Sequence, residues 1–323
     1  MRTSVKVCII VAASLMLLGA LAFGVALALG GLNVVKFGGV EYVEREYLID
    51  YEFENISIKD KTADIKILPT KDSKARVVCQ ESRVIGYTVS ANAEDTLEIE
   101  LVDSRKWYEH ISLFSIGESE ITLYLPEGEY GKLTVLSSTS DVDISEEFSF
   151  EGIDISLSTG NVECYASAKG LLRIKAGTGD IHLEGASAGR VELSVSTGRV
   201  SVASLECESD VSLKVDTGKA NLAGVDCKSF FSTGDTGDLA MKGVVAEELF
   251  RIERSTGDVS FDGCDAAEIY VTTDTGDVSG SLLSDKVFIV DTDTGRVNVP
   301  KSITGGRCEI KTDTGDIEIV VRQ

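Results

Sequence analysis

Several residue types are scarce in this 323-residue sequence: it has 3 prolines, 2 histidines and 1 tryptophan, and aromatic residues make up 7%. Two histidines and no paired Cys-x-x-Cys argue against a zinc site, which draws on clustered Cys and His. Basic residues are outnumbered, 31 Lys and Arg against 53 Asp and Glu, for a formal net charge of −22. That balance argues against nucleic acid, whose phosphates demand basic patches, and against electrostatic docking on an anionic membrane surface. No glycine-rich loop follows a strand and opens a helix, so nothing reads as a nucleotide site. So few aromatic residues are low for a β-sandwich but suit a narrow solenoid packed with Val, Ile and Leu.

What is present is a short motif that keeps returning. Ser or Asp, then Thr-Gly, then Asp or a substitute recurs with its glycines at 160, 179, 198, 218, 237, 257, 276, 295 and 315. Every interval is 19 or 20 residues, and a degenerate copy, Ser138-Thr139-Ser140-Asp141, precedes the first. A fixed period of this length marks a repeat array. After each glycine the second position is apolar (Val162, Ile181, Val200, Ala220) and the fourth mostly so (Cys164, Leu183, Val202, Leu222), with polar residues between. Before each glycine the fifth and seventh positions back are apolar, as in Leu193 and Val191. Period-two alternation means strands with one face buried. Each repeat reads as two short strands joined by the Thr-Gly turn, with a second turn near Gly224, Gly243 or Gly263. No repeat can bury its apolar face alone, and stacking them as parallel rungs makes a continuous core. The sequence therefore predicts an all-β, parallel β-solenoid (β-helix-like) of 19–20-residue rungs, regular over residues 140–323.

Ahead of the array, residues 1–6 form a basic head with Arg2 and Lys6, and residues 7–32 run 26 residues without a charge. That exceeds the roughly 20 residues needed to cross a bilayer as a helix. It predicts one N-terminal transmembrane anchor over residues 7–32, against the rival of a signal peptide cleaved near Ala26-Leu27-Ala28. The basic residues before the segment keep Met1 cytoplasmic and export the rest. Without Arg2 and Lys6 the exported part carries −24 instead of −22. Residues 33–50 read as a linker, and residues 51–139 as an irregular N-terminal β part of the same solenoid, terminal repeats being atypical.

Within that part, Glu120-Ile121-Thr122-Leu123-Tyr124-Leu125-Pro126-Glu127-Gly128 precedes Leu133-Thr134-Val135 and the degenerate turn. A strand ending in Leu-Pro-x-Gly, followed by rungs of Ser/Asp-Thr-Gly-Asp-Val/Ile, resembles the bacterial putative-adhesin family of β-repeat domains over residues 50–323. The resemblance implies a β-solenoid outside the membrane of a bacterium, in adhesion or envelope maintenance, and it brings no catalytic residues.

Three groups of residues invite a chemical reading. Asp-Thr-Gly is the tripeptide of aspartic-protease sites, but such a site needs two facing aspartates. Here the triplet occurs at Asp216, Asp235, Asp274, Asp293 and Asp313, always at the repeat turn. Rungs lie about 4.8 Å apart in register, so Asp274, Asp293 and Asp313 are expected to stack, with Asp258 beside Asp277. This carboxylate ladder reads as a solvated turn or as a cation site, and Arg199, Lys219 and Arg296 interrupt it. Cys207 and Cys227, each nine residues after a repeat glycine, should stack on neighbouring rungs and lie within disulfide reach. Cys164, Cys264 and Cys308 fall on inward positions. The stretch Arg105 to His110, with Trp107, reads either as a cap on the solenoid or as an exposed contact loop.

The sequence thus points to a membrane-anchored, extracytoplasmic, adhesin-like β-solenoid acting as a surface binding or structural module. The alternative is a scaffold or regulatory component of a cell-envelope stress system. No catalytic, cofactor-binding or metal residue is assigned, and an enzyme is not expected. The expected partners are the membrane, through the N-terminal helix, and an envelope protein or surface ligand, with no nucleic acid.

Overall fold

A computed structural model describes residues 11–12, 14–21, 24, 42–92, 94–105 and 119–322. The chain divides into two units, Met1–Tyr42 with Ser104–Gly117, and Val43–Asp103 with Glu118–Gln323. In the first, the described residues between 11 and 24 are helical. Among the described residues no helix is long and apolar enough to cross a membrane, and most of the predicted anchor over residues 7–32 lies outside them. Residues 106–110, including Trp107, lie outside them too.

The second unit is all β. Its N-terminal part comprises β1 (Val43–Leu48), β2 (Asn55–Lys59), β3 (Asp64–Thr70), β4 (Arg76–Glu81), β5 (Ile85–Ala91), β6 (Thr96–Asp103), β7 (Glu120–Pro126), β8 (Gly128–Thr139) and β9 (Val142–Ile144). The array continues through β10 (Phe148–Thr159), β11 (Val162–Cys164), β12 (Ser167–Thr178), β13 (Ile181–Glu184), β14 (Ser187–Cys207) and β15 (Asp210–Thr236). It ends with β16 (Leu239–Thr256), β17 (Val259–Thr275), β18 (Val278–Leu282), β19 (Lys286–Thr294), β20 (Val297–Asn298), β21 (Gly306–Thr314) and β22 (Ile317–Val321). β1 falls in the stretch read as a linker.

Neighbouring coils of the array pair in parallel and in register, Val191 on Val211, Thr197 on Thr217 and Val200 on Ala220. The alternation read from the sequence is the burial pattern: Val211, Leu213, Val215, Ala220 and Leu222 all face a single continuous core. Each coil, however, has three strand segments, not two. Beyond Leu222 the inward positions continue with Val225 and Cys227 on a third side. The corner between the second and third sides is a left-handed residue, Gly185, Gly224, Gly243 or Gly263, at φ between 57° and 67°.

Ser204 occupies that corner in one coil, with φ 52°. It lies over Gly224, since Ala203 pairs Ala223. A side chain in the left-handed region costs about 1–2 kcal/mol. Ser204→Gly should therefore stabilise the solenoid by about 1 kcal/mol, seen as a higher thermal midpoint. An unchanged or lower midpoint would show that this corner is unstrained.

The order of coils in space departs from the order in sequence at both ends. β2 lies between β6 and β8, and β3 between β7 and β9. At the other end β21 lies between β17 and β19, and β22 between β18 and β20. The first and last coils in sequence are thus each the second in space. The expected stack of Asp274, Asp293 and Asp313 is present but in another order: the pairing of Thr314 with both Thr275 and Thr294 puts Asp313 in the middle. The physical gain is burial. Cys308, Ile310, Ile317 and Ile319 of the inserted coil are 0–2% exposed, as are Ile56, Ile58, Ile65 and Ile67 of its N-terminal counterpart. Chain ends, the usual places of fraying, are held on both sides.

The N-terminal part also departs from an all-parallel stack. β5 covers the outer edge of β6, β4 covers β7 and β1 covers β4, all antiparallel. These strands cap the core at that end, with Val77 and Cys79 fully buried and Ile85 and Tyr87 nearly so.

Candidate functional site

The residues singled out in the sequence take structural places. The residues that follow the turn glycines, and Asp141 of the degenerate copy, form two side-chain-to-backbone runs along the stack. The backbone N–H of Asn161 donates to Asp141 Oδ1 (2.7 Å), Asp180 to Asn161 Oδ1 (2.9 Å) and Arg199 to Asp180 Oδ1 (2.8 Å). A second run links Asp238, Asp258, Asp277, Asp316 and Arg296 in the same way, at 2.7–3.3 Å. Each run ends on a basic residue that also pairs with the last carboxylate, Arg296 with Asp316 at 2.6 Å and Arg199 with Asp180 at 4.0 Å. Lys219, 3.0 Å from Asp238, holds that carboxyl below the usual carboxylate range. These acids and amides therefore tie one turn to the next, a use that the spacing alone did not reveal. The aspartates of Asp-Thr-Gly lie on the exposed side of the same turns.

Cys207 and Cys227 do lie on neighbouring coils, as the pairing of Glu206 with Asp226 requires. Both are free thiols. They stand in a column of small inward residues, with Ala168 on Ala188, Cys227 on Ala246 and Ala246 on Ala266. Buried among alanines, they act as small apolar residues of that column. Burial pushes the Cys227 thiol up to about 12 and raises Cys207 as well, which leaves both protonated and poorly nucleophilic. They line the floor of a shallow groove of about 850 Å³ that crosses several coils. Cys164, Cys264 and Cys308 are fully buried.

Arg254 was not anticipated. It stands at an inward position, 4% exposed, with Nη2 donating to Ser232 Oγ at 2.8 Å and Nη1 to Val215 O at 3.4 Å. Gly234 makes the room: a Cβ there would lie 1.9 Å from the guanidinium. Burial pushes this guanidinium down from its ordinary value.

A second concavity, with an aromatic wall, is at the N-terminal end, a cleft of about 550 Å³ between the β1–β2 connection, the 73–75 turn and the start of β8. Its aromatic wall is built from Tyr51, Phe53 and Tyr130. Phe53 stacks on Tyr130 with centroids 6.2 Å apart, and Tyr130 leans on Phe150 at 5.9 Å. The Leu-Pro-x-Gly motif sets this up: Pro126 ends β7, and its carbonyl accepts the Tyr130 hydroxyl at 2.7 Å. The connection is fastened by Glu54 and Asn55, whose N–H groups both donate to Asp95 O (2.8 and 3.1 Å). Asn55 Oδ1 accepts from Lys132 N at 2.7 Å. Gly131 is required beside it, since a Cβ would lie 2.3 Å from that oxygen. Around the aromatic wall stand Asp50, Glu52, Glu54 and Asp95. Lys74 pairs with Asp50, and among the described residues no cation pairs with the other three. The cleft thus joins aromatic faces to surplus negative charge.

A stack of parallel coils with capped N-terminal strands defines the class: an extended, repeat-built β-solenoid. Within that class the chain belongs to the Toastrack DUF4097 family, whose pattern matches residues 53–218 and again 208–323. Among solved structures it is similar to a putative lipid binding protein of Parabacteroides distasonis, at 13% identity and TM-score 0.53, covering 88% of this chain and 99% of that one. It is also similar to a putative adhesin of Bacteroides fragilis, at 15% identity and TM-score 0.41, covering 87% and 97%. At such identities the likeness concerns the fold. No curated protein matches the sequence.

Proposed function

We propose that this chain is an extracytoplasmic binding module, held at the cell membrane by its N-terminal apolar segment, which takes a cationic, partly apolar ligand into the Tyr51–Tyr130 cleft. The observation that carries this reading is the cleft: aromatic faces attract cations through their quadrupole, by about 0.5–2 kcal/mol, and Glu52, Glu54 and Asp95 supply the countercharge. A ligand presenting an amine or guanidinium on an apolar stem meets both. The rigid coils behind the cleft lower the ordering cost of binding. The uncharged run of residues 7–32 behind Arg2 and Lys6 supports the anchor, as do Leu15, Met16, Leu17 and Leu18 of the helix, 65–74% exposed and apolar on successive sides. Fold relatives bearing the names adhesin and lipid binding protein agree with a binding role and carry no ligand over.

Two measurements test it. Protease added to intact, wall-stripped cells should digest residues 33–323, and full protection overturns the exported topology. Labelled full-length chain should bind isolated envelopes, less so at high salt, and Tyr51→Ala, at a position 37% exposed, should reduce that binding about tenfold or more. Equal binding by both proteins sinks the cleft as the site. Capture of one membrane protein regardless of the substitution would favour the scaffold of an envelope-stress system instead.

A further inference from the structure

Elsewhere in this chain, a ring that lies beside a carboxylate is completed by an arginine. The Arg76 guanidinium lies 4.0 Å above the Tyr124 ring and donates to Glu46 Oε1 at 3.2 Å. Arg251 and Arg307 stand over Tyr270 at 5.5 and 5.6 Å, and Arg307 also pairs with Glu309. Lysines behave otherwise. Lys66 and Lys169 pair with carboxylates, and among the described residues no lysine lies over a ring. The reason is geometric. A guanidinium is flat and weakly hydrated, and its N–H groups point outward in its own plane. One such group can stack on a ring and bond a carboxylate at the ring's edge at the same time. An ammonium is a compact, strongly hydrated charge with no flat face to stack.

The N-terminal cleft brings the same two parts together. Tyr51 and Phe53 alternate with Glu52 and Glu54 along one segment, and Asp95 stands across from them. Tyr51 is exposed and stacks on no other described ring. Ionised carboxylates only accept hydrogen bonds, and the Tyr130 hydroxyl is already given to Pro126 O. A ligand for this rim therefore has to bring donors. The one cation among the lining residues, Lys74, is paired with Asp50.

We propose that the cation this cleft takes is a guanidinium, that of an arginine displayed by a partner protein. It stacks on the aromatic wall at Tyr51 and directs its N–H groups to the carboxylates of the rim. The proposal rests on the cleft being the binding site and narrows its ligand. Other cations match fewer of these groups. A quaternary ammonium has no N–H for the acids, and a lysine ammonium cannot lie flat on the ring while bonding the rim. Free arginine carries an α-carboxylate as well, which the acids repel and which meets no unpaired cation among the lining residues. An arginine within a chain has no such group.

The test is calorimetric titration of the full chain in detergent micelles with end-blocked glycine peptides that carry either two arginines or two lysines. Because the chain has a net charge of −22, both peptides are attracted at long range, so the preference between them is the readout. The arginine peptide should bind about fivefold more tightly than the lysine peptide, and more tightly than free arginine. Tyr51→Leu keeps apolar bulk and removes the ring face, and should bring the two peptides to parity. Lys74→Met breaks an exposed ion pair and releases Asp50 to the cleft, and should tighten the arginine peptide about twofold. Equal binding of both peptides, weakened alike by Tyr51→Leu, would overturn the guanidinium and leave the cleft a cation site. A preference that survives Tyr51→Leu would place arginine recognition outside the cleft. Where that variant folds poorly, an arginine affinity that Lys74→Met leaves unchanged would do the same. Free arginine binding as tightly as the peptide would overturn the protein partner in favour of the small molecule. Binding of neither peptide would remove the proposal and the cleft reading together.

Discussion

Deleting Arg199 to Gly218 should leave a folded solenoid one coil shorter, whereas deleting Arg199 to Glu208 should destroy it. The first deletion removes one full turn, because Arg199 pairs with Lys219 and Gly198 with Gly218 on the next coil. Lys219 then follows Gly198, and its N–H meets Asp180 Oδ1, the acceptor that Arg199 uses now. Ala220 and Leu222 replace Val200 and Val202, and Cys227 drops onto Ala188 in the column of small residues. The strained corner at Ser204 leaves with the coil. The loss is one coil and one coil–coil contact, expected as a drop in melting temperature of about 5 °C. The half-turn deletion instead joins Gly198 to Ser209. Asp210 and Ser212 then take the inward places of Val200 and Val202, while Val211 and Leu213 turn to solvent. A shift of strand parity moves a whole apolar set to the wrong face. Circular dichroism, a thermal melt and limited proteolysis of the two proteins compare them. Equal damage from both would mean that the 19–20-residue period is not a structural coil.

The coil was legible because its strongest constraint is local and repeats. Alternation of apolar residues around Thr-Gly fixes which side chains point inward, and the fixed interval fixes the register. Three other features were not legible, each for a physical reason. The third side of the coil has only two inward positions, which range from Ala186 and Ala188 to Phe148 and Phe150, too few and too variable in size to register as a strand. The exchanged order of the end coils leaves the period untouched, since the intervals at Gly276, Gly295 and Gly315 are ordinary. Its trace lies in the connection, where Pro300 replaces a third-side strand residue. Gly305 and Gly306 follow, and a Cβ on either would lie 1.8 Å from a backbone oxygen, that of Asp285 or Ala267. The cleft was hidden because the Tyr51–Phe53 segment, Asp95 and Tyr130 are far apart in sequence and meet only when β2 pairs with β6 and β8. The acids after each glycine invited a charge-centred reading, and their oxygens turn out to serve backbone N–H groups of the next coil.

The repeat glycines should prove the least replaceable residues of the array, and for two separable reasons. Gly237 has φ 131°, a conformation that side chains avoid, and a Cβ on it would lie 1.6 Å from Gly218 O on the preceding coil. The turn cannot retreat, because Gly237 N–H donates to Thr256 O at 2.8 Å on the following coil. Gly237→Ala thus adds steric conflict with the backbone to conformational strain, and should cost about 3 kcal/mol or more. At the other corner Gly185 has φ 67°, yet nothing lies within 4 Å of the place its Cβ would take. Gly185→Ala therefore carries the strain alone, about 1–2 kcal/mol. The expected order of melting temperatures is native, then Gly185→Ala, then Gly237→Ala, with the larger gap at the second step. Amide exchange should localise the damage of Gly237→Ala to the coils of Gly218 and Gly257, since each coil touches only its neighbours. If the two substitutions cost the same, backbone strain alone accounts for the repeat glycines, and the close stacking of one turn on the next contributes nothing to their selection.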